Sequence, residues 1–380
     1  PSAIRPGTAM QLNTAFQDPQ LCRGLLQRLE RALDGRSMRF MEVCGTHTAE
    51  ISRNGIPGLL SPSIQLVSGP GCPVCVTVTE YIDRLILLGK EPGNIVVTFG
   101  DMLRVPGSSQ SLSEARAEGC QVRMVYSPMD MLKLAGEDPG HTYIFAAVGF
   151  ETTTPVYAML LKNALAGGIK NIRLLTSLKV MPPVIDWICG EKQENSIDGF
   201  LAPGHVSVIT GSRAFEGLAE KYGIPFVVAG FEGEQILAAI AALVKLRGVG
   251  KTVNMYTSAV TREGNLTAQA AVEEYFEPAD AAWRGMGVIP GSGMVLRNKY
   301  EAFDAGSREL MEDREKNKGC CCAGVLTGKV RPVQCPLFGK VCTPQTPQGA
   351  CMVSTEGSCF NSFNSILPEA SASNIEAGDK

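Results

Sequence analysis

Ile144-Phe-Ala-Ala-Val-Gly-Phe-Glu-Thr-Thr-Thr-Pro155 carries a short apolar stretch through a glycine and straight into a helix opening. Residues that suit a pleated, half-buried strand give way to Thr and Pro, which suit the start of a helix. This is the junction of a strand with a crossover helix, and it recurs. Similar runs end near Cys44 (Arg39-Phe-Met-Glu-Val), Gly69 (Ile64-Gln-Leu-Val), Gly100 (Ile95-Val-Val-Thr-Phe) and Ser127 (Val122-Arg-Met-Val-Tyr). Others end near Ser177 (Ile172-Arg-Leu-Leu-Thr), Pro203 (Ile197-Asp-Gly-Phe-Leu-Ala) and Gly230 (Phe226-Val-Val-Ala). With Gly149 included, successive ends lie 25, 31, 27, 22, 28, 26 and 27 residues apart. That is the length of one strand, one loop and one helix, so the region predicts parallel α/β units.

Val148-Gly-Phe-Glu-Thr and Ala229-Gly-Phe-Glu-Gly echo each other 81 residues apart, which suggests two similar halves divided near His141. The predicted fold class is α/β: two similar domains with parallel β-sheets flanked by helices, plus a smaller cysteine-rich domain. The predicted divisions are residues 1–37 as a helical segment (amphipathic from Leu21 to Leu33) and 38–140 and 141–258 as the α/β domains. Residues 259–360 form the cysteine-rich domain, with helix-like segments at 267–275 and 300–312, and the polar stretch 361–380 is disordered.

With 35 basic and 38 acidic residues among 380, the net charge of −3 gives no footprint for nucleic acid or an anionic membrane. The longest apolar run, Ile236 to Val244, is far short of the ~20 residues of a bilayer helix. No charged start and apolar core of a secretory signal precede Met10, so the expected location is cytoplasmic.

Cysteine is distributed unevenly. Seven of the 13 (Cys320, Cys321, Cys322, Cys335, Cys342, Cys351 and Cys359) fall in the last 61 residues. In a reducing compartment such clustering points to metal ligation or thiol chemistry.

In an open parallel sheet, ligands bind beyond the carboxyl ends of the strands, and the sharpest motifs fall there. Cys44-Gly-Thr-His47 puts a thiol at a helix start, where backbone N–H groups and the helix dipole would lower its pKa and make it a nucleophile or metal ligand. Plain packing is the alternative. Cys72-Pro-Val-Cys75, after a Gly-Pro-Gly turn, suits a redox-active disulfide or half a metal site, with Cys44 and His47 able to complete a zinc site. Glu151-Thr-Thr-Thr is either an anion-holding turn or a helix cap by Thr152 or Thr153. Gly204-His205 is explained by a helix start. No Gly-x-Gly-x-x-Gly phosphate loop opens any of these units.

In the tail, Cys335, Cys342, Cys351 and Cys359 are separated by 7, 9 and 8 residues with Gly and Pro between them. Four thiols on irregular loops suit a four-iron cluster, whereas structural zinc favours pairs two to four apart. Cys320-Cys-Cys322 could be a redox pair beside the cluster or spare ligands.

The sequence resembles the HypD family of hydrogenase maturation proteins. The resemblance is carried by Phe40-Met-Glu-Val-Cys-Gly-Thr-His-Thr48, Ser68-Gly-Pro-Gly-Cys-Pro-Val-Cys-Val76, Thr98-Phe-Gly-Asp-Met102 with Arg104-Val-Pro-Gly107, and Ala147-Val-Gly-Phe-Glu-Thr-Thr-Thr-Pro155. Cys335-Pro-Leu-Phe-Gly-Lys, Cys342-Thr-Pro and Gly349-Ala-Cys-Met-Val-Ser-Thr-Glu-Gly-Ser-Cys359 extend it through the tail. It implies a scaffold for the iron of [NiFe]-hydrogenases, working with a small HypC-like partner and transiently with HypE, the source of the cyanide ligand. It also implies a [4Fe-4S] cluster and a transiently held Fe(CN)2CO unit. By position, Cys44 would hold the nascent iron with His47 beside it. Cys72 and Cys75 would be the redox-active pair, Cys335, Cys342, Cys351 and Cys359 the cluster ligands, and Glu151 part of the matching motif. Thr48 and Ala49 depart from relatives that carry a second histidine or a methionine there. The functional classes open at this stage are the assembly scaffold, a cluster-dependent thiol–disulfide reductase and a zinc-stabilised binding protein.

Overall fold

The computed structural model describes residues 18–190, 197–310, 313 and 319–366. All eight apolar runs are strands: β1 (Met38–Glu42), β2 (Ile64–Ser68), β3 (Asn94–Thr98), β4 (Val122–Met124), β5 (Thr142–Gly149), β6 (Ile172–Lys179), β7 (Gly199–Ala202) and β8 (Phe226–Val228). Three more follow, β9 (Thr252–Asn254), β10 (Phe276–Trp283) and β11 (Gly287–Leu296). The protein is α/β, with helices packed on two sheets.

The first sheet has the order β2-β1-β7-β8-β9 and is parallel throughout. The second has the order β10-β11-β6-β5-β3-β4, parallel from β6 to β4 and closed by an antiparallel β10–β11 hairpin. The sheets therefore do not divide the strands at His141. The chain starts the first sheet with β1 and β2, builds β3 to β6 of the second, returns for β7 to β9, and finally adds the hairpin to the second. Spacing between strand ends identifies strands but carries no information on which sheet each joins, because both sheets use crossovers of the same length.

Residues 259–360 are likewise not one cysteine-rich unit, since 276–296 belong to the second sheet. The segment near 300–312 forms short 3-10 turns at Asn298–Phe303 and Ser307–Glu309, with 311 and 312 outside the described residues. The stretch predicted as disordered begins inside a helix, Ser358–Ile366, while 367–380 lie outside the described residues. The amphipathic segment is the helix Pro19–Leu33, started by Asp18 accepting from the Gln20 and Leu21 N–H groups. Cys22, Leu29 and Leu33 form its buried stripe.

This topology places the C-x-x-C loop on the first crossing between the sheets. It leaves β2 in the first sheet and enters the helix Thr79–Lys90, whose Tyr81 hydroxyl donates to the Leu175 carbonyl of the second. One core joins both sheets and the tail: Cys72, Cys75, Phe150, Trp283, Met286, Cys322, Cys342, Cys351 and Cys359 pack in the same cluster. No helix is long and apolar enough to cross a membrane among the described residues.

Candidate functional site

β1 delivers Cys44 to the start of the helix Gly45–Arg53, where it stands as the N-cap in extended backbone. The Gly69-Pro-Gly71 turn crosses directly over it. The Gly45 N–H donates to the Gly71 carbonyl at 2.9 Å, and a Cβ on Gly71 would fall 2.3 Å from the Cys44 nitrogen. Only glycine permits this approach, and it holds the backbone that leads into Cys72 against the backbone of Cys44. Cys72 and Cys75 are joined as a disulfide with Cα atoms 5.2 Å apart.

Burial decides the electrostatics. The Cys44 thiol is pushed up to about 12, first by desolvation, with the Glu42 and Glu356 charges adding to it; its hydrogen bonds with the His47 and Thr46 backbone only partly offset this. Sequence reasoning expected the helix start to lower it. A dipole is worth ~0.3–1 kcal/mol at an exposed terminus, which is less than the cost of a buried anion beside two carboxylates. Bound metal would reverse that balance, because a coordinating thiol is deprotonated outright.

Glu42 was not foreseen. Buried in β1, it accepts from the Cys44 N–H at 3.1 Å and the Thr48 hydroxyl at 2.6 Å. Desolvation lifts its carboxyl to about 7 despite those bonds. Glu356 reaches over Gly45 from the tail and accepts from the Thr46 hydroxyl at 3.1 Å. Desolvation raises its pKa, with the Thr46 bond opposing the rise.

His47 is fully buried, with Nε2 2.9 Å from the Gly230 carbonyl. A carbonyl only accepts, so Nε2 carries the proton and Nδ1 presents a lone pair, which has no partner. Desolvation lowers its pKa to about 4, keeping the ring neutral. The second half of the internal echo supplies this setting: Phe231 packs against both His47 and His205, with ring centroids 4.8 and 4.1 Å apart. Because Cys72 and Cys75 are bridged and the His47 ring bonds Gly230, these residues do not form the four-ligand zinc site considered from spacing.

Glu151 is separate from Cys44. Its Oε1 accepts from the Met181 N–H at 2.8 Å, at the start of the helix Met181–Gly190, and its Oε2 is buried without a partner. Desolvation raises it to about 7. Thr153 occupies the N-cap of the helix Thr154–Ala166 without capping it through its side chain. Glu151 thus ties the β5 loop to the start of the helix after β6. Its neighbour Phe150 stacks on Trp283, 6.1 Å away, in the core shared with the disulfide.

In the tail, Cys320, Cys321, Cys322, Cys335, Cys342 and Cys359 line a small cavity with Gly349, Phe338 and Met352. Cys351 is fully buried and is not among those lining residues; it contacts Cys322 and Cys359. The Cys320 and Cys322 sulfurs are 3.2 Å apart, and a Cβ on Gly349 would strike both. Three of the four predicted cluster ligands therefore face one cavity, together with Cys320 and Cys322. No group of three Cys, His, Asp or Glu side chains closes on a single ion among the described residues. A cube of four irons takes one thiolate at each corner and sets its ligands farther apart than one ion does, so an all-sulfur donor set fits a cluster better than a lone metal.

Two larger cavities flank these groups. One, of about 450 Å³, lies against Glu42, Thr48, Ser52, Ser68 and Arg331. The other, of about 430 Å³, lies beyond the ends of β3, β4 and β5 against Pro73, Val74, Phe99, Asp101 and the exposed Tyr126.

Two sheets that share one core with a bridged C-x-x-C loop and a cysteine-lined pocket define a thiol-centred α/β protein. Its relatives say which one. A family model named HypD, described as "Hydrogenase formation hypA family", matches residues 20–365. The chain is 42% identical over 355 residues to the hydrogenase maturation factor HypD of Azotobacter vinelandii, covering 90% of this chain and 94% of that one. It is 40% identical over 362 residues to HypD1 of Bradyrhizobium diazoefficiens, covering 92% and 95%. A putative hydrogenase expression/formation protein of Methanocaldococcus jannaschii is 43% identical over 338 residues, covering 88% and 93%. The chain belongs to the HypD family of hydrogenase maturation factors.

Proposed function

We propose that this chain matures [NiFe]-hydrogenases as the scaffold on which, with a HypC-like partner, the Fe(CN)2CO unit is assembled. The observation that supports the reading is the close backbone approach of Gly71, the residue before the Cys72–Cys75 disulfide, to Cys44 at the end of β1. The iron unit is cargo. Cys44 is its thiolate anchor, and the unpartnered Nδ1 of His47 is oriented by the Gly230 carbonyl. Soft thiolate suits low-spin iron that already bears strong-field diatomic ligands. The buried Cys44, only 7% exposed, keeps water from such a unit. The cavity against Pro73 and Val74 gives a partner chain a route to the disulfide. HypE is the transient partner that brings cyanide.

Cys335, Cys342 and Cys359, with Cys351 or Cys320 as the fourth thiolate, are the ligands of a [4Fe-4S] cluster. When bound, the cluster supplies one-electron transfer at low potential. The disulfide needs two electrons and two protons to open into two thiols, and its place in the same core as the tail cysteines supports delivery from that side.

The test is infrared spectroscopy of the protein purified anaerobically with its partner. Bands of metal-bound cyanide and carbon monoxide are expected, and they should vanish in Cys44→Ala; unchanged bands in that variant would refute the anchor. The bridged Cys72–Cys75 pair also supports a second reading, a cluster-dependent thiol–disulfide reductase. Catalytic turnover of a protein disulfide with an external donor favours it, whereas stoichiometric partner binding without turnover favours the scaffold.

A further inference from the structure

β2 is the edge strand of the first sheet and pairs only with β1. The phase of that pairing is fixed at both ends. The Met38 N–H donates to the Ser63 carbonyl at 2.8 Å, and the Gly69 N–H to the Glu42 carbonyl at 2.7 Å. Main-chain groups alternate sides along a strand, so residues 63, 65, 67 and 69 face β1 while 64, 66 and 68 face outward. The Ile64 N–H is taken by the Ser61 carbonyl at 2.9 Å. The N–H and C=O groups of Leu66 and Ser68 meet no partner among the described residues. Native edges are ordinarily blunted by a charge, a proline or a covering segment. This strand, Ile64-Gln-Leu-Val-Ser68, contains no charge and no proline.

Leu66 and Ser68 line the cavity of about 450 Å³, so the bare edge is the floor of a groove. Walls rise on both faces of the strand. Leu66 packs with Ile51 on the side of the helix Gly45–Arg53, and Val67 with Val325 and Val330 of the tail on the other. Arg331 stands exposed on the rim, and no carboxylate pairs with it among the described residues. The groove ends at Glu42, the residue that accepts from the Cys44 N–H. Unpaired main-chain donors and acceptors between apolar walls match another main chain, which repeats both along its length. A purely apolar small molecule would leave them unmet.

We propose that this groove takes an extended segment of a partner polypeptide as an added strand on β2, with apolar side chains at alternate positions and an acidic one opposite Arg331. The Leu66 and Ser68 main chain supplies the ladder, the two apolar walls select the alternating side chains, and the rim charge selects their sign. The strand would lie against Glu42 and so brace the turn that presents Cys44. Neither the iron cargo nor the cluster enters this inference.

The experiment is amide hydrogen exchange on the full-length protein with synthetic strand-length peptides that alternate valine with glutamate, lysine or serine. The glutamate peptide should slow exchange at Leu66 and Ser68 about tenfold, and leave β9, at the opposite edge of the same sheet, unchanged. Leu66→Pro removes one outward N–H at a position where an edge strand tolerates proline, and should abolish the effect, with thermal melts to confirm folding. Arg331→Glu should weaken the glutamate peptide about tenfold and favour the lysine peptide. No slowing by the glutamate peptide in the wild type overturns the proposal, as does undiminished binding to a folded Leu66→Pro. If the proline variant does not fold, unchanged peptide preference in Arg331→Glu overturns it instead. Slow exchange at Leu66 and Ser68 in the free protein, released by deleting residues 367–380, gives the groove to the chain's own end and overturns the partner reading.

Discussion

Gly71 lies against the backbone of Cys44 with no room for a side chain: a Cβ there would sit 2.3 Å from the Cys44 nitrogen and 2.5 Å from the Val43 carbonyl carbon. Gly71→Ala must therefore move backbone rather than a flexible side chain. Overpacking of this kind costs ~1–3 kcal/mol, and here it also separates the Cys72–Cys75 loop from Cys44. Urea unfolding should show that loss, and the infrared bands of bound cargo should weaken with it. Gly24, inside the helix Pro19–Leu33 with nothing near its Cβ direction, is the control. Gly24→Ala should be stabilising by ~0.5–1 kcal/mol, as removal of a helix-interior glycine is.

The cysteine-lined cavity sets two candidates for the fourth ligand of the proposed cluster, Cys320 and Cys351, against each other. Cys320, like Cys321 and Cys322, faces the cavity with Cys335, Cys342 and Cys359, whereas Cys351 lies outside its lining. Cys320→Ser should therefore lower iron and sulfide content as severely as Cys342→Ser, and Cys351→Ser should retain most of both. Metal analysis of the three variants decides the matter; the reverse pattern restores the quartet taken from the sequence.

The strands were legible because buried parallel strands are short apolar runs, and all eight runs from Arg39 to Ala229 appear as strands. Sheet membership was not, since nothing local tells β7 to pair with β1 rather than with β6. The β10–β11 hairpin escaped notice because Pro278, Gly291 and Gly293 interrupt its apolar pattern. The thiols were found by residue type and spacing. Glu42 and Glu356 were missed because each looks like an ordinary charge in sequence and acquires its place at the site only through burial. The Gly45-Thr46 contact with Glu356 spans more than 300 residues. The Cys44 pKa was misjudged for the same reason: local geometry shows the helix start but not the desolvation.

Glu151 gives a pH signature. Burial lifts its folded-state pKa to about 7, above the ordinary carboxyl value. Between those values the folded state holds a proton that the unfolded state has released, so stability falls as pH rises through this window and is flat above it. Above pH 7 the ionised, buried carboxylate costs on the order of 3 kcal/mol. Glu151→Gln keeps an oxygen to accept from the Met181 N–H and removes the titration. Denaturant midpoints should be higher than wild type at pH 8 and should converge with it at pH 4.5. Equal pH slopes for the two proteins would contradict this.

Lys179 should give the opposite slope. Its ammonium donates to the Ala282 carbonyl at 2.7 Å and lies 5.9 Å from the Trp283 ring centre, and burial lowers its pKa to about 7. Here the unfolded state holds the extra proton, so stability rises with pH from about 7 toward the ordinary lysine value. Lys179→Met should flatten that rise and stabilise most below pH 7, where the wild type buries a charge. A rise above pH 7 that survives in Lys179→Met assigns it to another group.

Glu356 tests whether the tail is fastened to the Cys44 helix by shape or by charge. Its side chain covers Gly45 and accepts from Thr46, while desolvation disfavours its ionised form. Glu356→Gln keeps the size and the acceptor and drops the charge that raises the Cys44 pKa, so it should leave stability within ~0.5 kcal/mol of wild type. Glu356→Ala opens a void over Gly45 and leaves the Thr46 hydroxyl without its acceptor, which should cost ~1–3 kcal/mol. If charge held the tail in place, the two variants would lose equal stability. If shape holds it, only the alanine variant should unfold early and expose Cys359 and the helix Ser358–Ile366 to alkylation and proteolysis.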